Sequence, residues 1–212
     1  MSFDLPRLNS ATRGAPTSPF LTDLGSLMVG NRQLPLYEAT KAGRVFHGNS
    51  AAAGVILPIY SNTAQKVGLW NASTTVNAVL TRVAFTYVST TGAAGGLVLA
   101  AVSGAGSALG GNITVFTESA ALVTNGLVGG GLTAKCKFTG SAATVAAPTI
   151  YRHIGFNQLV ITAADATNAQ WKAHIDFDGD VIIPPGSALF LAGNIATLIT
   201  LAPSITWVEE DI

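Results

Sequence analysis

Turn chemistry interrupts this chain too often for long helices, and that limits the folds open to it. The stretch from Asp176 to Trp207 shows the pattern best. Pro184-Pro185-Gly186 reads as a tight turn, because proline presets φ at one corner and glycine supplies a positive φ at the next. Short runs rich in β-branched and apolar residues flank it, Val181–Ile183 and Ser187–Ala192. Ala202–Val208 then alternates Ile205 and Trp207 with Ser204 and Thr206, the period of a half-buried strand, before the acidic Glu209-Glu210-Asp211. These segments read as the closing strands of an antiparallel sandwich.

The same texture runs upstream. Arg44–His47 and Val55–Tyr60 read as strands, with Pro58 demoting the second to an edge or a bulge. Trp70-Asn71 closes that segment. In Val79–Val88, strict alternation places Val79, Thr81, Val83, Phe85 and Tyr87 inward, and Leu80, Arg82, Ala84, Thr86 and Val88 outward. Leu97–Val102 reads as a buried strand and Ile113–Thr117 as a short one. Glu118–Leu122 suits one helical turn before the Asn125-Gly126 turn. Leu132–Phe138 reads as a one-sided strand with Cys136 on its buried face; Ile150–Phe156, Leu159–Thr162 and Trp171–Phe177 follow, with a turn at 165–168. About ten strands at spacings of roughly 8–15 residues, with no long amphipathic helix between them, predict an all-β fold, a jelly-roll-like antiparallel β-sandwich.

Composition narrows the function. Of the 212 residues only 10% are charged and the formal net charge is zero, against about 25% charged in an average protein. Such sparse, balanced charge argues against nucleic acid as a partner, because phosphate binding needs clustered Lys and Arg. It suits a protein packed against other protein. The apolar stretches are broken by Gly, Pro, Asn, Ser and Thr and have strand texture, so no membrane span is expected. Met1–Arg7 lacks a basic flank followed by an apolar core, so no secretory signal is expected either. The single cysteine, Cys136, excludes an internal disulfide framework.

Residues 1–45 differ from the remainder, and the sequence divides into an N-terminal arm, 1–45, and a sandwich domain, 46–212. The arm holds five of the eleven basic residues (Arg7, Arg13, Arg32, Lys41, Arg44) and four of the nine prolines. Pro6, Pro16 and Pro19 hold their neighbourhoods extended. A poorly ordered terminus and an extended arm that orders on a neighbouring subunit both fit; Ser26–Asn31 reads as a loop or a short turn of helix.

No catalytic constellation stands out, and the chain reads as a non-enzyme without cofactor or metal. Asp176-x-Asp178-x-Asp180 has alternate carboxylates, but the position where a calcium loop needs glutamate is Ser187. His47, His153 and His174 are not at metal-ligand spacing. Gly104-Ala-Gly106-Ser-Ala-Leu-Gly110 lacks the spacing and the βαβ context of a nucleotide loop. Alternation sends Lys135 and Lys137 to the face opposite Cys136, which marks its thiol as structural.

Two segments carry a resemblance. Val181-Ile-Ile-Pro-Pro-Gly-Ser-Ala-Leu-Phe-Leu resembles the closing strands of jelly-roll virion proteins. Ile59-Tyr-Ser-Asn-Thr-Ala-Gln-Lys-Val-Gly-Leu-Trp-Asn, followed by Leu80-Thr-Arg-Val, is similar to structural proteins of tailed-bacteriophage particles. The resemblance implies a virion component made in the bacterial host cytoplasm. The expected role is a head decoration (cement) protein on the capsid exterior, a homotrimer bound to the major capsid protein. A tail-associated receptor- or glycan-binding sandwich is the alternative. On the first reading the arm docks on the capsid. Arg7, Arg13, Arg32 and Arg44 would pair bidentately with carboxylates, and Phe3, Leu5, Phe20 and Leu24 would serve as apolar anchors.

Overall fold

The computed structural model describes residues 20–21, 27–28, 36–89, 95–103, 112–146, 148–157, 172–195 and 200–212. The expected elements at 159–162 and 165–168, the glycine-rich stretch 104–110 and Trp171 lie outside them. The chain divides into two compact units, Met1–Glu38 and Ala39–Ile212. In the first, β1 (Phe20–Leu21) pairs antiparallel with β2 (Leu27–Met28), Phe20 opposite Met28. Leu27-Met28 is therefore strand rather than loop or helical turn. A five-residue helix, α1 (Tyr37–Lys41), crosses the division between the units.

The second unit is built from strands. In chain order they are β3 (Val45–Asn49), β4 (Val55–Ile56), β5 (Ala64–Gln65), β6 (Val67–Trp70), β7 (Val76–Ser89) and β8 (Gly95–Val102). There follow β9 (Ile113–Phe116), β10 (Val123–Asn125), β11 (Lys137–Thr139), β12 (Ala143–Val145) and β13 (Thr149–Asn157). The last are β14 (Lys172–Asp176), β15 (Ile182–Ile183), β16 (Ala188–Gly193) and β17 (Thr200–Asp211). One sheet has the order β10-β3-β17-β7-β14, with β15 added to β7 and β4 to β17; a second has the order β11-β6-β16-β8-β13; a small third sheet is β5-β12-β9. Taking β3, β6, β7, β8, β13, β14, β16 and β17 as eight principal strands, the two large sheets hold them in the orders 1-8-3-6 and 2-7-4-5. That is the antiparallel double Greek key of a jelly roll. The expected all-β sandwich is present.

Between the large sheets lies the main core. It includes Leu80, Val83 and Phe85 of β7, Leu97 and Leu99 of β8, Leu189 and Leu191 of β16, and Ile205 and Trp207 of β17. The small sheet covers part of the second sheet's outer face, where Ile113, Phe116, Ala143 and Val145 pack on Trp70, Val102, Ala188 and Phe190. Covering both faces explains why β6 and β16 are buried at every position and read as continuous apolar runs. Ala39, Val45 and Val208 form a small cluster on the outer face of the first sheet.

Strand β7 departs from simple alternation. Thr206 lies opposite Arg82 but Trp207 lies opposite Leu80, so Thr81 is the extra residue of a bulge. The bulge shifts the phase by one. Leu80, expected outward, is fully buried in the main core, and Val79, expected inward, packs on the Ala39–Val45–Val208 cluster instead. Val83 and Phe85 face inward and Arg82 outward, as alternation predicts beyond that point. Thr81 itself is held by Oγ1 donating to the Thr206 carbonyl (3.1 Å) and by its own carbonyl accepting from Phe177 N–H (2.8 Å).

The predicted Pro-Pro-Gly turn is formed. Ser187 N–H donates to the Pro184 carbonyl (3.1 Å) and Gly186 has φ 79°, the second corner of a type II turn. Fully buried Asn71 fastens this turn. Its carbonyl accepts from Gly186 N–H (2.8 Å) and its N–H donates to the Ser187 carbonyl (2.9 Å), while Nδ2 donates to the Val76 and Ile183 carbonyls (2.8 and 2.9 Å). Pro203, which has no N–H to give a ladder, falls where the neighbour of β17 changes from β4, opposite Thr200–Leu201, to β3, opposite Ser204–Val208.

Sheet packing at β6 leaves no room for a side chain at Gly68. A Cβ there would meet the Phe190 ring and lie 2.7 Å from the Leu189 carbonyl oxygen. Gly68→Ala is expected to lower unfolding free energy by about 1–3 kcal/mol through overpacking. At Gly131 a Cβ would meet nothing within 4 Å, and Gly131→Ala should stay within about 0.5 kcal/mol of the parent. Denaturant melts of the two variants check the contrast.

Candidate functional site

The segment joining β10 to β11 crosses one edge of the sandwich, since β10 ends the first large sheet and β11 ends the second. Its last residues do not form the strand that alternation predicts over Leu132–Phe138. Only Lys137–Thr139 is strand, and Leu132 is exposed. The reason is a competing acceptor. Lys135 N–H donates to Glu209 Oε1 and Oε2 (2.9 and 3.0 Å), and Cys136 N–H donates to Oε1 (2.8 Å). A carboxylate thus takes the backbone donors that a strand would have spent on a ladder. Glu209 is only 6% exposed, and a third donor, Trp207 Nε1, reaches its Oε1 at 3.3 Å. The Trp207 ring stacks on Phe46, centroids 5.8 Å apart.

Beside this clamp is an open cleft of about 350 Å³. Phe46, Val123, Ala134 and Cys136 supply its apolar lining, with Glu118, Asn125 and Thr133 among the polar groups. Burial pushes the Cys136 thiol well above its usual pKa, and the neighbouring Glu209 charge pushes it further. That is the opposite of an activated nucleophile, which needs a stabilised thiolate. On the cleft wall the Glu118 carboxylate pairs with Lys137 (3.4 Å).

The other residues singled out by sequence are placed as follows. Phe3, Leu5, Arg7, Arg13, Leu24 and Arg32 lie outside the described residues, and Phe20 begins β1. Arg44 lies in the second unit, where its guanidinium pairs with Glu210 and its carbonyl accepts from Glu209 N–H (2.9 Å). Asp176 pairs with Arg82 (2.5 Å) and Asp180 with Arg152, whose guanidinium also lies 5.5 Å from the centre of the Phe177 ring. The Arg82 hydrogen bond holds the Asp176 carboxyl below its ordinary pKa. The Asp176–Asp180 stretch is therefore tied to two arginines on different strands. Half-buried His47 meets Thr206 Oγ1 through Nδ1 (3.0 Å), and burial, then the Arg82 charge, lowers its pKa. His174 is exposed near Asp176 (3.7 Å). Among the described residues no group of three His, Cys, Asp or Glu side chains could hold a metal ion, and no helix is long and apolar enough to cross a membrane.

Sequence reading passed over Glu209 and Asn71. Glu209 was read only as the first residue of an acidic run after the last strand; the available signal was its place two residues after Trp207, in the same alternating strand. No protein-family model matches the chain, and comparisons with curated proteins and with solved structures find no match.

Glu209→Ala would leave two backbone N–H groups and an indole N–H without their acceptor. At about 1–3 kcal/mol for each of the two buried donors, Cys136 N–H and the Trp207 indole, the expected loss is roughly 2 kcal/mol or more. Glu209→Gln, which keeps one acceptor oxygen, should lose less. Urea unfolding followed by tryptophan fluorescence measures both; a loss under about 1 kcal/mol in Glu209→Ala would remove the clamp from the account.

Proposed function

We propose that the chain is a structural component of a tailed-bacteriophage particle, a head decoration protein that binds the major capsid protein through its N-terminal segment. The observation that carries this reading is the jelly-roll strand order. Viral capsid domains are built on that architecture, and the segments that resemble virion proteins fall on its framework, Ile59–Asn71 at β5–β6, Leu80–Val83 in β7 and Val181–Leu191 at β15–β16. Fold alone does not fix function, and lectin domains share the jelly roll, so the sequence resemblance and the composition add the remaining support. A surface with little charge and a first unit carrying Arg7, Arg13 and Arg32 among its prolines suit a protein attached to protein.

In this mechanism the arginines pair with capsid carboxylates while the prolines limit the entropy lost as the segment orders. Many modest contacts then hold neighbouring capsid subunits against internal pressure, and the sandwich projects outward as a trimer. Arg44, already paired with Glu210, serves the sandwich rather than the arm.

Deleting residues 1–35 tests the proposal, since α1 and the whole β unit are kept. The truncated protein is expected to keep the parent's β-rich circular dichroism and to lose attachment to particle heads seen by electron microscopy. Full occupancy of heads by the truncated protein would move the docking face to the sandwich. Tail location of the parent would replace the proposal with a receptor- or glycan-binding role.

A further inference from the structure

Asn125-Gly126 and Asp178-Gly179 are the places in this chain where an Asn or Asp precedes a glycine. Such dipeptides invite the glycine amide to attack the preceding side chain, because glycine has no Cβ to hinder the succinimide ring that forms. In an unfolded chain at neutral pH the Asn amide is the more reactive, since an ionised carboxylate is a poor electrophile. The fold locks that site. Gly126 N–H, whose nitrogen is the nucleophile, donates to the Val45 carbonyl (2.8 Å). The Asn125 side chain is held at both ends: Oδ1 accepts from Leu127 N–H (2.8 Å), and Nδ2 donates to the Gly43 carbonyl (2.7 Å). Asn125 is also paired with Phe46 in the β10–β3 ladder. Ring closure there needs a local opening that gives up these bonds together, and such an opening is rare in proportion to its free energy.

Asp178-Gly179 is held only at its flanks. It tops the loop between β14 and β15. Phe177 N–H donates to the Thr81 carbonyl (2.8 Å), and the Val181 carbonyl accepts from Leu80 N–H (2.9 Å). Asp176 is taken by Arg82 (2.5 Å) and Asp180 by Arg152. Phe177 and Val181 are buried, whereas Asp178, Gly179 and Asp180 are exposed. Among the described residues, neither the Gly179 N–H nor the Asp178 carboxylate has a hydrogen-bond partner. Gly179 has φ 85°, and a Cβ placed on it would meet nothing within 4 Å. Open space thus surrounds the nucleophile, and an exposed backbone without hydrogen bonds changes conformation at little cost.

We propose that Asp178 is a site of spontaneous covalent modification, where its carboxyl group condenses with the Gly179 amide and reopens as isoaspartate. The Gly179 nitrogen loses its proton and bonds to Asp178 Cγ, and the side-chain hydroxyl leaves as water, giving a succinimide. Water then opens the ring. Cleavage of the new bond restores aspartate; cleavage of the original peptide bond leaves the chain running through the side-chain carboxyl. The net change is an isomerisation and needs no oxidant or cofactor. It adds a methylene to the backbone and leaves a free α-carboxylate, the group that isoaspartyl methyltransferases esterify with S-adenosylmethionine. The anchors at Phe177 and Val181 confine the change to the loop tip, so the sandwich should survive it. The site goes beyond the virion reading and stands without it.

Prolonged warm incubation of the full chain at neutral pH tests it. Peptide mapping locates the products, and methyl transfer from labelled S-adenosylmethionine by an isoaspartyl methyltransferase identifies isoaspartate in the mapped peptides. The folded chain, its circular dichroism unchanged, is expected to gain isoaspartate at 178 while the Asn125 amide stays intact. In concentrated urea the order should reverse, with Asn125 losing ammonia first. Asp178→Asn gives both positions the same chemistry, so that only the fold distinguishes them. In that folded variant the amide at 178 should be lost while Asn125 is retained. Absence of isoaspartate at 178 from the folded parent overturns the proposal. Loss of the Asn125 amide as early as the 178 amide in Asp178→Asn overturns it too, as does an unchanged order in urea, because the fold would then not select the site.

Discussion

The Glu209 carboxylate ties the two large sheets together at one edge. Glu209 belongs to β17, in the middle of the first sheet between β3 and β7. The backbone it holds, Lys135 and Cys136, leads directly into β11 of the second sheet. A carboxylate that is 6% exposed is tolerable only if its lone pairs are filled, and here two backbone N–H groups and an indole N–H fill them. Hydrogen bonds to an ionised acceptor are also the stronger kind. The carboxylate thereby joins the Trp207 indole, which stacks on Phe46, to the backbone that enters β11.

Elsewhere charge plays a different part. Arg82–Asp176, Arg152–Asp180, Arg44–Glu210, Lys137–Glu118 and Lys135–Asp211 are exposed or partly exposed pairs, and such pairs add little to stability. Their effect is to cancel one another across strands. The surface is left with little net field and with a few apolar groups fixed on tight turns, a character suited to fitting other protein surfaces rather than steering ionic ligands. The proposed attachment to a particle draws on that character.

Much of this was legible in the sequence, and the exceptions have physical causes. Pro184-Pro185-Gly186 fixed its own turn because φ is set locally by the residue types. Trp207 and Ile205 were readable as inward because a straight strand keeps its period of two. At Leu80 the same rule failed, because the Thr81 bulge is specified by the pairing with β17 rather than by any residue of β7 alone. The alternation in Leu132–Phe138 was real but misleading. Its burial is set by a carboxylate more than seventy residues away in sequence, and local pattern carries no trace of such a partner. For the same reason the arrangement of the cleft and the 126–131 loop was invisible, although Asn125-Gly126 was recognisable as a turn. Asn71 gave only the signal of a polar residue between apolar runs.

The central claim is that a side-chain carboxylate, not a strand ladder, secures the approach to β11. Amide hydrogen exchange resolved to single residues tests it most directly. Lys135 and Cys136 lie outside any strand, and ordinarily such amides exchange freely. With Glu209 in place they should exchange about as slowly as Ile205 and Val83 in the central strands, while the Val128 amide at the loop tip exchanges fast. If the amides of Lys135 and Cys136 exchange at the rate of Val128, the clamp does not exist in solution and the account of this edge is wrong.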